Sequence, residues 1–235
     1  MRKSLYLEGI NAWFVQTIEH DCEEKASVDF LAPMLRRRLS PLGRAVLHSL
    51  NPLLTEQPDD KTAFIFASRW GDISLTEALL KELKDPDGVS PNRFSTSVHN
   101  AIGGQFSIFE HFTGFITALS GGSCSLSTAL IEAQALLNNY RTVYICFYES
   151  RLPPAFSKDD NRGQTFSLAL KLREATNFEQ SLQVSVSRLD ETSETNAAHN
   201  ALSAIAFFEG RSDSWQENES HIQYRWYRQS LIHMP

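Results

Sequence analysis

Ser90-Pro91-Asn92-Arg93-Phe94-Ser95-Thr96-Ser97-Val98-His99-Asn100-Ala101-Ile102-Gly103-Gly104-Gln105-Phe106-Ser107-Ile108, followed by Gly114 and Thr117-Ala118-Leu119-Ser120-Gly121-Gly122, is the stretch that decides the reading of this chain. Ser97 to Phe109 reads as a helix with Gly103-Gly104 in its middle. Each glycine there costs roughly 1 kcal/mol relative to alanine, so the pair points to a close approach. Phe115-Ile116-Thr117-Ala118-Leu119 reads as a short strand running into a Ser120-Gly121-Gly122 elbow. Beyond the elbow, Leu126, Ala129, Leu130, Ala133 and Leu137 share one helical stripe, which Asn138-Asn139 can close.

Outward from this core, apolar runs alternate with helical patterns, the arrangement of a layered α/β architecture. Thr62 to Ser68 and Thr142 to Tyr148 are nearly continuous apolar runs, as strands buried on both faces should be. Leu5-Tyr6-Leu7 predicts a short opening strand. Ser40-Pro41 starts a helix that runs toward Leu50, with Ser40 as cap and Pro41 at the first helical position. Ser74-Leu75-Thr76-Glu77 has the form of a capping box for a helix that uses Leu75, Ala78, Leu79 and Leu83, and Asp85-Pro86-Asp87-Gly88 ends it with turn chemistry. Arg151 to Gly163 is a proline- and charge-rich loop. Phe166 to Leu172 and, more weakly, Leu182 to Val186 alternate as strands. Asn196 to Phe208 predicts a helix ending at Gly210. Ile222 to Tyr227 predicts an edge strand blunted by its arginines.

The 235 residues, 42% hydrophobic, suffice for one substantial core. The formal charge of -6 argues against a nucleic-acid partner. The local exception is Leu35-Arg36-Arg37-Arg38-Leu39, either a solvated face or a docking patch for an acidic partner. The cysteines, Cys22, Cys124 and Cys146, form no CxxC pair, so neither a zinc site nor a disulfide framework is expected. Cys146, inside an apolar run, reads as a small buried hydrophobe. No stretch approaches the ~20 apolar residues of a membrane span. The N-terminus lacks a signal-peptide pattern, and a cytoplasmic location is the expectation.

The ordered motifs resemble the β-ketoacyl synthases of the thiolase superfamily. There, a proline, a phenylalanine and an asparagine precede an Ala-Gly and a Ser-Ile pair. A strand then delivers a Thr-Ala-Cys-Ala-Thr-Gly elbow. Laid without a gap, Thr117-Ala118 matches the Thr-Ala, Gly122 the elbow glycine, and Leu119 falls on the nucleophilic cysteine. The resemblance covers roughly Thr62 to Leu172. It implies a compact, truncated α/β fold, a layered αβα architecture with a mixed sheet like the N-terminal half of a ketosynthase. Residues 1–180 would form that domain, and 181–235 a short strand-helix-strand completing it. Ketosynthase chemistry needs a thiolate at a helix N-terminus and amides cradling an oxyanion. Leucine cannot be acylated. The family's two histidines lie in His-Gly-Thr and Gly-His contexts, and none of His20, His48, His99, His111, His199, His221 and His233 is so placed.

Within the family the chain resembles the cysteine-less, chain-length-factor-like subunits of aryl polyene-type pigment pathways. The matching segments are Leu39-Ser40-Pro41-Leu42-Gly43-Arg44, Phe66-Ala67-Ser68-Arg69, Ser97-Val98-His99-Asn100, Glu132-Ala133 and the Trp226 strand. The resemblance implies a non-catalytic partner of an active ketosynthase, paired through Phe115 to Leu119, with acyl carrier protein delivering substrate to the complex and no cofactor. Phe94, Asn100, Phe106, Phe112, Phe115, Ile116, Thr117, Leu119, Gly121, Gly122 and Cys124 would then line the tunnel or interface. Two other readings stay open. One is a divergent acyltransferase using Cys124, which sits in the first turn after the elbow. The other is a stand-alone acyl-binding regulatory protein.

Overall fold

The computed structural model describes residues 4–15, 17–18, 22–23, 25–84, 86, 88–157, 163–176, 180–193 and 197–230. Asp85 and Asp87 of the expected turn, 158–162 of the expected loop, Asn196 at the expected helix start, His20 and His233 lie outside these residues.

The chain begins with β1 (Leu5–Phe14), followed by a small hairpin of β2 (Thr17–Ile18) and β3 (Cys22–Glu23). Next come α1 (Pro33–Arg36), α2 (Pro41–Leu50), β4 (Thr62–Ala67), α3 (Ile73–Glu82), α4 (Pro91–Ser95) and α5 (Ala101–Phe109). The second half holds β5 (Phe115–Leu119), α6 (Ser125–Leu136), β6 (Thr142–Glu149), β7 (Phe166–Glu174), β8 (Gln180–Arg188), α7 (Ala197–Phe208), β9 (Ser214–Glu219) and β10 (Ile222–Ser230). Eight strands form one mixed sheet in the order β5-β4-β6-β7-β1-β8-β10-β9. β4 runs parallel to β5 and β6, and the other pairings are antiparallel.

Period-two alternation sorts the strand side chains onto two faces. Ala63, Ile65, Ala67, Val143, Ile145, Phe147, Leu168, Leu170 and Leu172 face α6. Phe64, Phe66, Tyr144, Cys146 and Tyr148 face α2 and α5. Ser40 caps α2 by accepting from the Gly43 amide (3.0 Å), with Pro41 opening the first turn. β8 joins β1 through one residue pair, Leu5 with Leu182. There the sheet turns, and β8, β10 and β9 fold back over α6, so that Trp215, Trp226, Ala204 and Phe207 share a core with Leu126 and Leu130. The result is a mixed sheet layered between helices, as expected.

Several expectations are corrected. The Ile222 strand is not an edge, because β10 pairs with β8 on one side and β9 on the other. The C-terminal segment is therefore strand-helix-strand-strand. Arg228 does not blunt an edge: it donates to the Phe207 carbonyl and lies over the Phe207 ring at 4.9 Å. α3 is capped by Asp72, whose Oδ1 accepts from the Leu75 amide (3.2 Å), and Ser74 lies inside the helix. α5 begins at Ala101, since Ser97 to Asn100 form turns after α4. β1 is twice the expected length or more, running on to Phe14 through a register shift at Gly9. Among the described residues no helix is long and apolar enough to cross a membrane. Among them also, no group of three or more His, Cys, Asp or Glu could hold a metal ion.

Candidate functional site: the elbow after the edge strand

β5 lies at one edge of the sheet, and among the described residues it pairs only with β4. Its alternation sends Phe115 and Leu119 toward the α6 core and Ile116 and Ala118 toward α5. The Leu119 carbonyl accepts from the Ser68 amide (3.2 Å), which ties the end of β5 to the end of β4. The chain then turns through Gly121 and Gly122 into α6. Gly122 has φ +62°, and a Cβ there would lie 2.6 Å from a carboxylate oxygen of Glu219. A Cβ at Gly121 would overlap the Thr128 hydroxyl. Both glycines are therefore set by geometry.

Helix N-termini present unpaired amides and positive potential, which is what an oxyanion site needs. At this elbow, protein groups take those donors. The Ser123 amide donates to Glu219 Oε2 (2.5 Å), and the Ser123 hydroxyl donates to the Asn218 carbonyl (2.8 Å) and to Glu219. The Ser127 amide donates to Glu217 Oε2 (2.6 Å), and the Leu126 amide bonds the same carboxylate. The Gly121 amide donates to Ser125 Oγ (3.1 Å) and the Cys124 amide to the Gly121 carbonyl (3.0 Å). The Asn200 amide secures Glu217 from behind and accepts in turn from Trp215 Nε1 (2.6 Å), while Trp226 Nε1 donates to Ser127 Oγ (2.9 Å). Burial pushes the Glu217 carboxyl up to about 7 against these hydrogen bonds.

Cys124, the N-cap of α6, is buried. Its thiol is pushed up to about 12, first by burial and then by the negative charge of Glu217 and Glu219. A helix N-terminus lowers a thiol pKa, but here two carboxylates stand in the way. His48, His99 and His221 each bond a backbone carbonyl through a ring nitrogen: Ser27 at 2.7 Å, Ser68 at 2.9 Å and Leu189 at 3.2 Å. At this elbow leucine stands at 119, the amides of Ser123, Leu126 and Ser127 have acceptors within the protein, and burial and the nearby carboxylates favour the protonated Cys124 thiol.

The flank of β5 is different. Asn100, Gly103, Gly104, Phe112, Ile116 and Thr117 border an open groove of about 670 Å³ beside the unpaired edge. Gly103 is tight, with a would-be Cβ 3.0 Å from Phe66 and 3.2 Å from Ile116. Gly104 opens into space, with nothing within 4 Å of that position. The close approach expected of the glycine pair therefore holds for the first and not the second. Asn100 is exposed and precedes α5 without a side-chain cap.

The structure thus divides the residues singled out in the sequence. Leu119, Gly121, Gly122 and Cys124 meet at the elbow. Asn100, Phe112, Ile116 and Thr117 border the groove, and Phe115 packs on Tyr140 with ring centres 5.5 Å apart. Phe106 is a core residue against Phe64 at 4.6 Å, and Phe112 also meets Phe64, at 5.1 Å. Phe94 lies 62% exposed on α4, away from the elbow. Sequence reasoning missed Glu217, Glu219 and Asn200. The alternation of Trp215, Glu217 and Glu219 was the available signal. It also missed Glu149, a buried carboxylate that accepts from Ser68 Oγ (3.2 Å) and from the Arg69 amide and is pushed up to about 7 by burial.

The model of the β-ketoacyl synthase N-terminal domain matches residues 11–227. The chain belongs to this family. A comparison with curated protein sequences gives no match. Among solved structures, this β-ketoacyl synthase-family chain is similar to one titled as the ketosynthase ApeO in complex with its chain length factor ApeC from Xenorhabdus doucetiae. The identity is 21%, the TM-score 0.74, and the match covers 96% of this chain and 99% of that one. It is also similar to AntDE:AntF, a type II polyketide synthase acyl-carrier protein in complex with its ketosynthase, at 11% identity and TM-score 0.72, covering 97% and 99%. The ishigamide ketosynthase/chain length factor matches at 14% identity and TM-score 0.63, covering 79% and 67%. At these identities the likeness establishes the fold.

Proposed function

We propose that this chain is a non-catalytic, chain-length-factor-like partner of an active β-ketoacyl synthase in type II polyketide-like, aryl polyene-type biosynthesis. One observation carries the reading: the elbow that would hold the nucleophile carries Leu119 and is closed by Glu217 and Glu219, while the strand leading into it has no partner on its outer side among the described residues. An exposed strand edge is a template for another chain, and pairing across it would join two sheets in a heterodimer. Two of the similar solved structures are complexes of a ketosynthase with a chain length factor, and one of them contains a chain of near-equal length to this one, which supports that role. The chemistry would take place on the partner, with acyl carrier protein delivering substrate there. Leu119, at the end of β5, would help wall the acyl tunnel and limit how far a growing chain reaches. The raised thiol pKa of Cys124 speaks against the acyltransferase alternative.

The test is co-expression with the ketosynthase encoded in its gene neighbourhood, followed by size-exclusion chromatography with mass determination. A one-to-one complex is expected. In the reconstituted system, Leu119→Ala should shift products toward longer chains. A complex whose product length ignores substitution at 119 would remove the chain-length role and leave scaffolding. A monomer that binds no ketosynthase would remove both.

A further inference from the structure

The arginine run at the end of α1 lies beside the groove-bearing flank. Arg36 is paired with Asp29 (2.6 Å). Arg37 and Arg38 are exposed, and no described carboxylate pairs with either in a chain of formal charge -6. Their backbone is nevertheless fixed. Arg44 Nη2 donates to the Arg36 carbonyl (2.8 Å), Gln105 Nε2 donates to the Arg38 carbonyl (3.1 Å), and Leu39 is buried. A solvated run needs no such anchoring.

Between this run and α4–α5 lies a second groove of about 840 Å³, bordered by Arg37, Arg38, Arg93, Val98, Gly104 and Ile108. Arg93 is already paired with Glu82. Val98 and Ile108 are 45% and 60% exposed, so the groove combines a cationic rim with apolar contact area. It is continuous with the groove along β5, since Asn100, Gly104 and Ser107 border both. Arginine is a preferred interface residue, and its planar fork binds carboxylates two-handed. We propose that this groove receives an acidic segment, with at least one apolar side chain, from the same ketosynthase subunit that pairs with β5. Arg37 and Arg38 then select that partner by charge. The proposal rests on the pairing reading above and adds a second point of contact and its chemistry.

The experiment uses the full chain and the co-expressed ketosynthase. Arg37→Glu/Arg38→Glu should raise the complex's Kd about tenfold or more in 50 mM salt, because it sets like charges face to face, and should flatten the salt dependence of binding. Arg37→Lys/Arg38→Lys should weaken binding less than the charge reversal does, because it keeps the charge and gives up the two-handed fork. After zero-length carbodiimide coupling, it should yield peptides joining positions 37 and 38 to Asp or Glu of the ketosynthase. Both pairs are exposed, and unfolding midpoints check that each variant is folded. If the unchanged chain binds and the reversed pair binds equally well, this inference falls and pairing through β5 stands. Coupling only to a carrier protein, or to a second copy of this chain, also overturns it. If the unchanged chain binds no ketosynthase, the pairing reading falls and this inference with it.

Discussion

At its C-terminal end β5 runs into an elbow that the chain closes on itself. Glu217 and Glu219 arrive from the far edge of the sheet, because the fold-back at Leu5–Leu182 brings β9 over α6, and they take the amides of Ser123, Leu126 and Ser127. Along its outer side the same strand borders a groove with an exposed glycine and an exposed asparagine, continuous with a second groove rimmed by two arginines that no described carboxylate pairs. The two regions are a few residues apart and are treated oppositely. An anion-binding helix terminus has been filled by the protein's own carboxylates, whereas the surface that would meet a partner has been left unfilled.

The largest effect expected from breaking the closed side is that of Glu217→Ala. It would leave the Ser127 and Leu126 amides and the Asn200 amide without their acceptor in a dry site, at about 1–3 kcal/mol per group. A loss of about 3 kcal/mol in urea unfolding is expected. Glu217→Gln, which keeps an acceptor oxygen, should cost well under half of that. If alanine is tolerated, the carboxylate is not what closes the elbow.

Acidity offers a second handle on the same closure. Glu149 and Glu217 both titrate near 7 in the folded chain, against an ordinary value of 4.5. Between those values the folded state holds protons that the unfolded chain has released. Their contribution is therefore fullest below about pH 4.5 and is lost as pH rises through 7. At about 1.4 kcal/mol per unit of pKa, each group accounts for roughly 3–4 kcal/mol over the window. Urea midpoints should fall from pH 5.5 to pH 8, and Glu149→Gln with Glu217→Gln should flatten the profile. A flat profile in the unchanged chain would mean that water reaches these carboxylates.

Why this closure escaped sequence reading, while most of the fold did not, has a physical cause. β4 and β6 declare themselves because both faces are apolar, β7 by its alternation, and α6 because its stripe is apolar. β9, Ser214-Trp215-Gln216-Glu217-Asn218-Glu219, holds one apolar residue, and its inward face is completed by carboxylates stabilised by hydrogen bonds to a helix 90 or more residues upstream. Such a strand has no hydrophobic period to find. Missing it turned β10 into an apparent edge. β1 was cut short for another reason: the register shift at Gly9 breaks the alternation before Ile10, Ala12 and Phe14 resume it. The Ser74 capping signature was outcompeted by Asp72, two residues earlier. At the site, the glycine elbow after β5 was visible in the sequence, whereas the residues that occupy its amides come from a distant segment.

The elbow and flank can be set against each other with one substitution in each. Gly122→Ala places a Cβ at φ +62° against Glu219. The left-handed backbone costs an L-residue about 1–2 kcal/mol, and displacing Glu219 adds to it, so a loss of about 2–3 kcal/mol is expected. Binding of the ketosynthase by the molecules that remain folded should be unchanged.

Gly104→Ala should act in the opposite direction. The position is inside α5, its backbone is helical, and a Cβ meets nothing within 4 Å. Alanine removes the helix penalty of glycine, a gain of up to about 1 kcal/mol, which for a chain of this size raises the Tm by about 2–4 °C. A glycine that weakens the isolated chain and touches nothing within it is explained if another molecule comes close there. Gly104→Trp tests that directly: it should leave the chain folded and weaken the ketosynthase complex by about tenfold, through steric overfilling of the contact. A fall in Tm with alanine would mean that the groove is closed in solution. Full binding with tryptophan would move the partner's approach away from α5 and leave the β5 edge as its remaining seat.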